Sequence, residues 1–252
     1  MKINAYFSPI LKEEERQFDK SIIIMVDVLR ASTTVCAALY NGAKEIIPTI
    51  SSEQAMKIYS DLDRSVRFIG GEKNAIKPSG FDAGNSPSDY TSEKCQGKTI
   101  ILTTSNGAKL FTQFKDAKIR IVASFANFST VLKKINLLLA ENVEKHHFDY
   151  LEFFCAGNNG LFSYEDSLCI GGLIQNIVEN NDDDFDLNDS ADAARNLYDY
   201  HKDNLFDFLK NSDHSKRLIQ LGFQSDLETC LTFDIFPILP IIEGISIKKS
   251  II

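Results

Sequence analysis

Residues 21–41 read SIIIMVDVLRASTTVCAALYN, and this stretch decides the architecture. The apolar run 21–26 has no polar alternation, which predicts a strand buried on both faces. The run stops at Asp27. Arg30 follows, then Ser32, Thr33 and Thr34, and a helical pattern fills 32–40. A carboxylate, a guanidinium and hydroxyls therefore meet at one strand-to-helix turn. Helix starts expose free N–H groups and a positive dipole end, which suit an anion. Arginine grips phosphate with two parallel hydrogen bonds, and aspartate suits a hard cation such as Mg²⁺. The plainer alternative is that Asp27 caps the helix and Arg30 is solvated.

Outward from this turn the chain alternates. Strand-like runs occupy 45–50, 65–69, 99–103, 118–123 and 150–155. Helical patterns occupy 52–61, 107–114, 129–143 and 164–179. Such alternation predicts parallel βαβ units, and so an α/β fold: three layers, α/β/α, with a mostly parallel sheet. Ligands in these sheets bind at the carboxyl ends of the strands. The strand at 65–69 leads into a Gly/Pro/Asn/Ser-rich loop over 70–90, long enough to suggest a role. Beyond residue 180 an acidic stretch leads to helical patterns over 191–231, predicting a helical C-terminal region packed on the sheet. A last apolar segment, 235–247, carries Pro237 and Pro240, which predict an edge strand or extended chain. The whole, 1–252, reads as one domain, with an α/β core over 1–180 and a helical part with a final extended segment over 181–252.

The bulk numbers exclude several classes. The 252 residues are 44% hydrophobic and 25% charged, with formal net charge −8 and pI about 5.1. That balance argues against nucleic acid or an anionic membrane surface as the main partner. The N-terminus MKINAYFSPILKEEERQ shows no signal-peptide pattern, and no apolar run is long enough to span a bilayer. Five scattered cysteines without a C-x-x-C pair fit a reducing cytoplasm. His146-His147 reads as a helix end and Asp182–Asp184 as a solvated loop.

Four further constellations stand at strand ends. Glu72 follows the strand at 65–69, either as a partner of Asp27 or as a plain turn residue. GFDAGNSP, 80–87, offers Asn85 and Ser86 as neutral donors to an anion, or is simply a turn-rich loop. TTSNG, 103–107, places Thr104, Asn106 and Gly107 at a second helix start, where caps compete with anion binding. In CAGNNG…SYED, Ser163 and Asp166 have capping-box spacing, while Glu165 and Asp166 are candidates for metal binding or acid–base work. Cys155 reads as structural, because a C-x₅-R phosphatase loop would need arginine where Leu161 stands. Leu29 likewise excludes the D-x-D phosphatase pattern, and neither a P-loop nor a dinucleotide fingerprint is present.

VDVLRASTT, GE…GFDAGNSP, TTSNG and CAG…EDSLCIGG, in this order, resemble the 2-phosphosulfolactate phosphatases, the ComB-type enzymes of coenzyme M biosynthesis. The likeness is strong over 1–172 and looser beyond. It implies a magnesium-dependent three-layer α/β/α phosphatase that hydrolyses (R)-2-phospho-3-sulfolactate to 3-sulfolactate and phosphate. The family's polar positions fall on Asp27, Arg30, Ser32, Glu72, Asn85, Ser86, Thr104, Asn106, Gly107, Glu165 and Asp166. Asn158-Asn159 and the acidic insert after residue 180 depart from the family's pattern.

Taken together, these readings assign Asp27, Arg30, Glu165 and Asp166 to catalysis. Ser32, Thr33, Asn85, Ser86, Thr104, Asn106 and Gly107 are assigned to the substrate. Asp27, Glu72 and Asp166 are the candidate ligands for Mg²⁺. The expected partner is a small anionic phosphorylated substrate, and a homo-oligomer is compatible with the sequence. Rival expectations are a phosphatase of another small phosphorylated hydroxy acid and a non-catalytic phosphometabolite-binding module.

Overall fold

The computed structural model describes residues 1–8, 17–145, 147–181 and 184–251. Residues 9–16 of the N-terminal stretch, His146, Asp182 and Asp183 lie outside the described residues. The strands are β1 (Lys2–Tyr6), β2 (Ser21–Val26), β3 (Glu45–Thr49), β4 (Arg67–Gly71), β5 (Thr99–Thr103), β6 (Ile119–Ala123), β7 (Tyr150–Cys155), β8 (Asp186–Leu187), β9 (Leu239–Glu243) and β10 (Ser246–Ser250). They form one ten-stranded sheet in the order β4-β5-β3-β10-β9-β6-β2-β7-β1-β8.

β2 is central and pairs in parallel with β6 and β7. Its side chains alternate between two cores, as the unbroken apolar run requires. Ile22, Ile24 and Val26 join one apolar cluster, and Ile23 and Met25 join the other. Removing each such side chain from water is worth about 1.5–3 kcal/mol.

The helices are α1 (Ala31–Tyr40), α2 (Ser52–Asp61), α3 (Ser92–Cys95), α4 (Gly107–Phe111), α5 (Phe128–Lys145), α6 (Tyr164–Asn180), α7 (Asp189–His201), α8 (Leu205–Lys210), α9 (Asp213–Gln220) and α10 (Gln224–Leu231). α1 and α4 pack in the Ile23 cluster. α5, α6, α7 and the C-terminal helices pack in the Ile22 cluster, giving the three layers. α6 and α7 approach closely because Gly171 has no side chain. A Cβ there would stand 2.1 Å from the Ala194 carbonyl oxygen.

The C-terminal segment corrects one expectation. Residues 239–250 are neither edge strand nor loose chain; they are an antiparallel hairpin in the middle of the sheet. On one side lies the parallel set β4-β5-β3, and on the other the parallel set β6-β2-β7-β1-β8. Pro240 is tolerated because the hairpin's outer ladders are short. β9 meets β6 only at Ile241↔Ile121, and β10 meets β3 only at Ile247↔Ile46. A missing N–H costs little where few ladder bonds are made.

Candidate functional site

The turn after β2 is closed by its own side chains. Ser32 Oγ accepts from the Asp27 N–H at 2.8 Å, and the Ser32 N–H donates to the Asp27 carbonyl at 2.8 Å. Thr33 Oγ1 donates to the Val28 carbonyl at 2.9 Å, and Thr34 Oγ1 to the Asn85 carbonyl at 2.8 Å. Ser32 and Thr33 are fully buried and lie outside the cleft lining. The Ser32 and Thr33 hydroxyls therefore shape the turn, and the Thr34 hydroxyl ties it to the 80–87 loop.

What the turn presents is Asp27. Its Oδ1 accepts from the Ala31 N–H at 3.1 Å, and Oδ2 lies against Gly107. A Cβ on residue 107 would come within 2.6 Å of Oδ2 and 2.6 Å of the Ala31 Cβ, so only glycine leaves the carboxylate in place. Burial pushes the Asp27 carboxyl up to about 6; the Ala31 N–H and His214 pull it down, while Glu72 and Glu165 add to the rise.

Arg30 is buried rather than solvated. One guanidinium nitrogen donates to Asp226 Oδ2 at 2.6 Å, and the group stacks over Phe223 at 4.2 Å. Asp226 Oδ1 accepts from Ser86 Oγ at 2.6 Å. One carboxylate on α10 thus holds both the arginine of the first turn and the serine of the 80–87 loop. Ser86 stands behind the cleft, whereas Asn85 lines it with a buried Oδ1 that has no hydrogen-bond partner.

Strands β4 and β5 supply the next wall. Glu72 accepts from the Ser105 N–H at 2.7 Å through Oε1 and from the Ala75 N–H at 2.6 Å through Oε2. Thr104 Oγ1 accepts from the Ala108 N–H at 2.8 Å, and Asn106 Oδ1 from the Asn159 N–H at 3.2 Å. Glu72, Thr104 and Asn106 line the same cleft as Asp27 and Arg30.

Glu165 and Asp166 begin α6 and take different positions. Asp166 accepts from the Val28 N–H at 2.8 Å and the Gly157 N–H at 3.1 Å, pinning the ends of β2 and β7 together. It is buried and does not line the cleft. Burial, then Asp27 and Glu165, push its carboxyl well above the usual range, against those two N–H groups. Glu165 is also buried, and its Oε1 lies 2.7 Å from His214 Nδ1. His214 lines the cleft, so Glu165 reaches the cavity through the imidazole. Cys155 is a buried free cysteine whose thiol burial pushes far up, which suits packing rather than nucleophilic attack.

Sequence reasoning missed His214, Arg217 and Asp226 on the C-terminal helices and Phe223 between two of them. The available signal was weak: His214 and Arg217 stand three apart on α9, one face of a helix. Asn158 and Asn159, flagged as departures, do line the cleft.

The expected Mg²⁺ ligands do not gather. Among the described residues no group of three His, Cys, Asp or Glu forms a metal cluster. Both oxygens of Glu72 and of Asp166 already accept backbone hydrogens. What the cleft offers a hard cation is the Asp27 carboxylate and the unpartnered Asn85 Oδ1. That donor set fits Mg²⁺, which usually takes one or two protein carboxylates and completes its shell with water and substrate phosphate.

A three-layer sheet with an acid and a guanidinium in a polar cleft at its strand ends is the framework of an anion-handling α/β enzyme. The family model for 2-phosphosulpholactate phosphatase matches residues 6–244. A probable 2-phosphosulfolactate phosphatase of Thermotoga petrophila is 40% identical over 228 residues, 90% of this chain and 92% of that protein. Proteins of the same name from Caldanaerobacter subterraneus and Clostridium novyi are 34% and 35% identical, over 94% and 95% of this chain and 93% and 96% of their own lengths. The chain belongs to the 2-phosphosulpholactate phosphatase family. None of its described helices is long and apolar enough to cross a membrane.

Proposed function

We propose that this chain is a Mg²⁺-dependent phosphatase that hydrolyses (R)-2-phospho-3-sulfolactate to 3-sulfolactate and phosphate. Its family membership supports this reading. The observation that carries it is the Asp27 carboxylate in one cleft with a buried, pre-positioned Arg30 guanidinium. The reaction adds water across the phosphorus–oxygen ester bond: a water oxygen ends on phosphorus, and the alkoxide at C2 takes a proton. Magnesium, held by Asp27 and Asn85, would neutralise charge on the transferring phosphoryl group.

The chain's own residues do the rest. Arg30, fixed by Asp226 and Phe223, binds the phosphoryl oxygens without first ordering a flexible side chain. Glu165 orients His214 through Nδ1; when the ring carries its second proton, Nε2–H gives that proton to the departing alkoxide and the neutral ring keeps its Nδ1–H. Asp27 either attacks phosphorus or positions water; mass spectrometry of acid-quenched enzyme separates these by the presence or absence of phospho-Asp27.

The test is phosphate release from (R)-2-phospho-3-sulfolactate with Mg²⁺ or EDTA, beside phospholactate and phosphoglycolate. Release that is Mg²⁺-dependent and prefers the sulfonate supports the proposal. Faster release from another acid moves the substrate, and binding without turnover makes the chain a phosphometabolite sensor.

A further inference from the structure

Two guanidinium groups line the cleft, and the fold holds them in opposite ways. Arg30 is buried, and its charge is matched by Asp226 at 2.6 Å. Arg217 sits on α9, exposed, and makes no ion pair among the described residues. It stands one helical turn after His214, and both side chains line the cavity. Asp27 and Glu72 line it as well, so a ligand with several negative groups meets repulsion there unless a further cation answers it. Arg30 cannot supply that answer twice.

We propose that Arg217 binds the second, non-transferring oxyanion of the substrate, a sulfonate or carboxylate. It thereby sets the preference for phosphorylated acids over phosphate esters of neutral alcohols. This rests on the reading of the cleft as a phosphatase site. Guanidinium presents paired donors that match either oxyanion. Arg30 is rigid, where the reaction demands fixed geometry. Arg217 is unanchored, where substrates differ in length and shape.

The experiment compares the wild type with Arg217→Ala and Arg217→Lys on four esters. 2-Phospho-3-sulfolactate carries both extra anions, phospholactate the carboxylate alone, 2-phosphooxyethanesulfonate the sulfonate alone, and p-nitrophenyl phosphate neither. For the first, R217A should lose roughly 10- to 100-fold in kcat/KM, mainly through KM, as expected for a lost charge-assisted contact. For p-nitrophenyl phosphate the change should stay within about twofold. Whichever single-anion ester loses more identifies the oxyanion bound, and R217K should recover part of the loss. Equal losses on all four, or none, would overturn the proposal.

Calorimetry supplies a readout without turnover. R217A should weaken binding of 3-sulfolactate about tenfold and leave inorganic phosphate unchanged. Arg217-dependent binding of 3-sulfolactate by a protein that releases no phosphate would keep this proposal and remove the phosphatase reading. Binding of 3-sulfolactate that ignores Arg217, or no binding at all, removes this one.

Discussion

Two walls of the cleft are built by different means. The wall at the end of β2 comes from consecutive residues, Asp27 to Thr34, locked by hydrogen bonds within the turn. Another wall comes from α9, and α10, outside the lining, reaches the turn through a contact that spans 196 positions, Arg30 to Asp226. The first wall holds the acid, and the second decides where the arginine stands and what else the cleft can grip. The carboxylate is set locally here, while the arginine's position and the imidazole come from distant helices.

If that division holds, Asp27→Asn should abolish turnover without harming the fold. We expect a loss on the order of a thousandfold in kcat, together with a gain in stability at neutral pH. Burial lets the folded carboxyl keep its proton up to about pH 6, against an ordinary value of 3.8. Between about pH 4 and 6 the folded state binds more protons than the unfolded one, so wild-type stability falls as pH rises through that window. In thermal melts without Mg²⁺, D27N should therefore exceed the wild type at pH 7 by on the order of 2 kcal/mol, with the gap closing towards pH 4. A D27N protein that melts lower at pH 7 would break the comparison.

Asp226→Ala should do the reverse and harm both. It strands the buried Arg30 charge and releases Ser86, so we expect about 3 kcal/mol of destabilisation and roughly a hundredfold loss of activity. Urea unfolding and steady-state kinetics read both; an unchanged melt would mean that the long-range wall does not position Arg30. Replacing His214 with Gln should lower kcat roughly 10- to 100-fold and flatten its pH profile, with little change in stability. Replacing Glu165 with Gln should do the same more weakly, about tenfold. Gly107→Ala is the smallest step: the added methyl displaces Asp27, and we expect about a tenfold loss in kcat and about 1–2 kcal/mol.

The same division explains what the sequence disclosed. β2 and the turn after it were legible because an unbroken apolar run, a strand-end acid and a hydroxyl-rich helix start are neighbours in the chain. Strands β3, β5 and β7 announced themselves in the same way. β1 did not, because Lys2 and Asn4 interrupt its apolar pattern while β7 covers it on one side. The hairpin of β9 and β10 was misread because prolines signal edges only when the ladders are long. Ser32 and Thr33 looked like substrate ligands, and hydroxyls that close a turn look the same in sequence as hydroxyls that face a ligand. His214, Arg217 and Asp226 sit in ordinary helical patterns, and only tertiary packing gives them partners.

The central hairpin has a consequence for how the molecule is made. Among the described residues, the parallel sets β4-β5-β3 and β6-β2-β7-β1-β8 are joined within the sheet through β9 and β10. Those two strands are also the last of the described elements to leave the ribosome. Until they emerge, β3 and β6 each present an open edge with unpaired N–H and C=O groups. During synthesis the nascent chain is therefore two half-sheets awaiting a seam, and those edges are where a chaperone, or a neighbouring nascent chain, would find it.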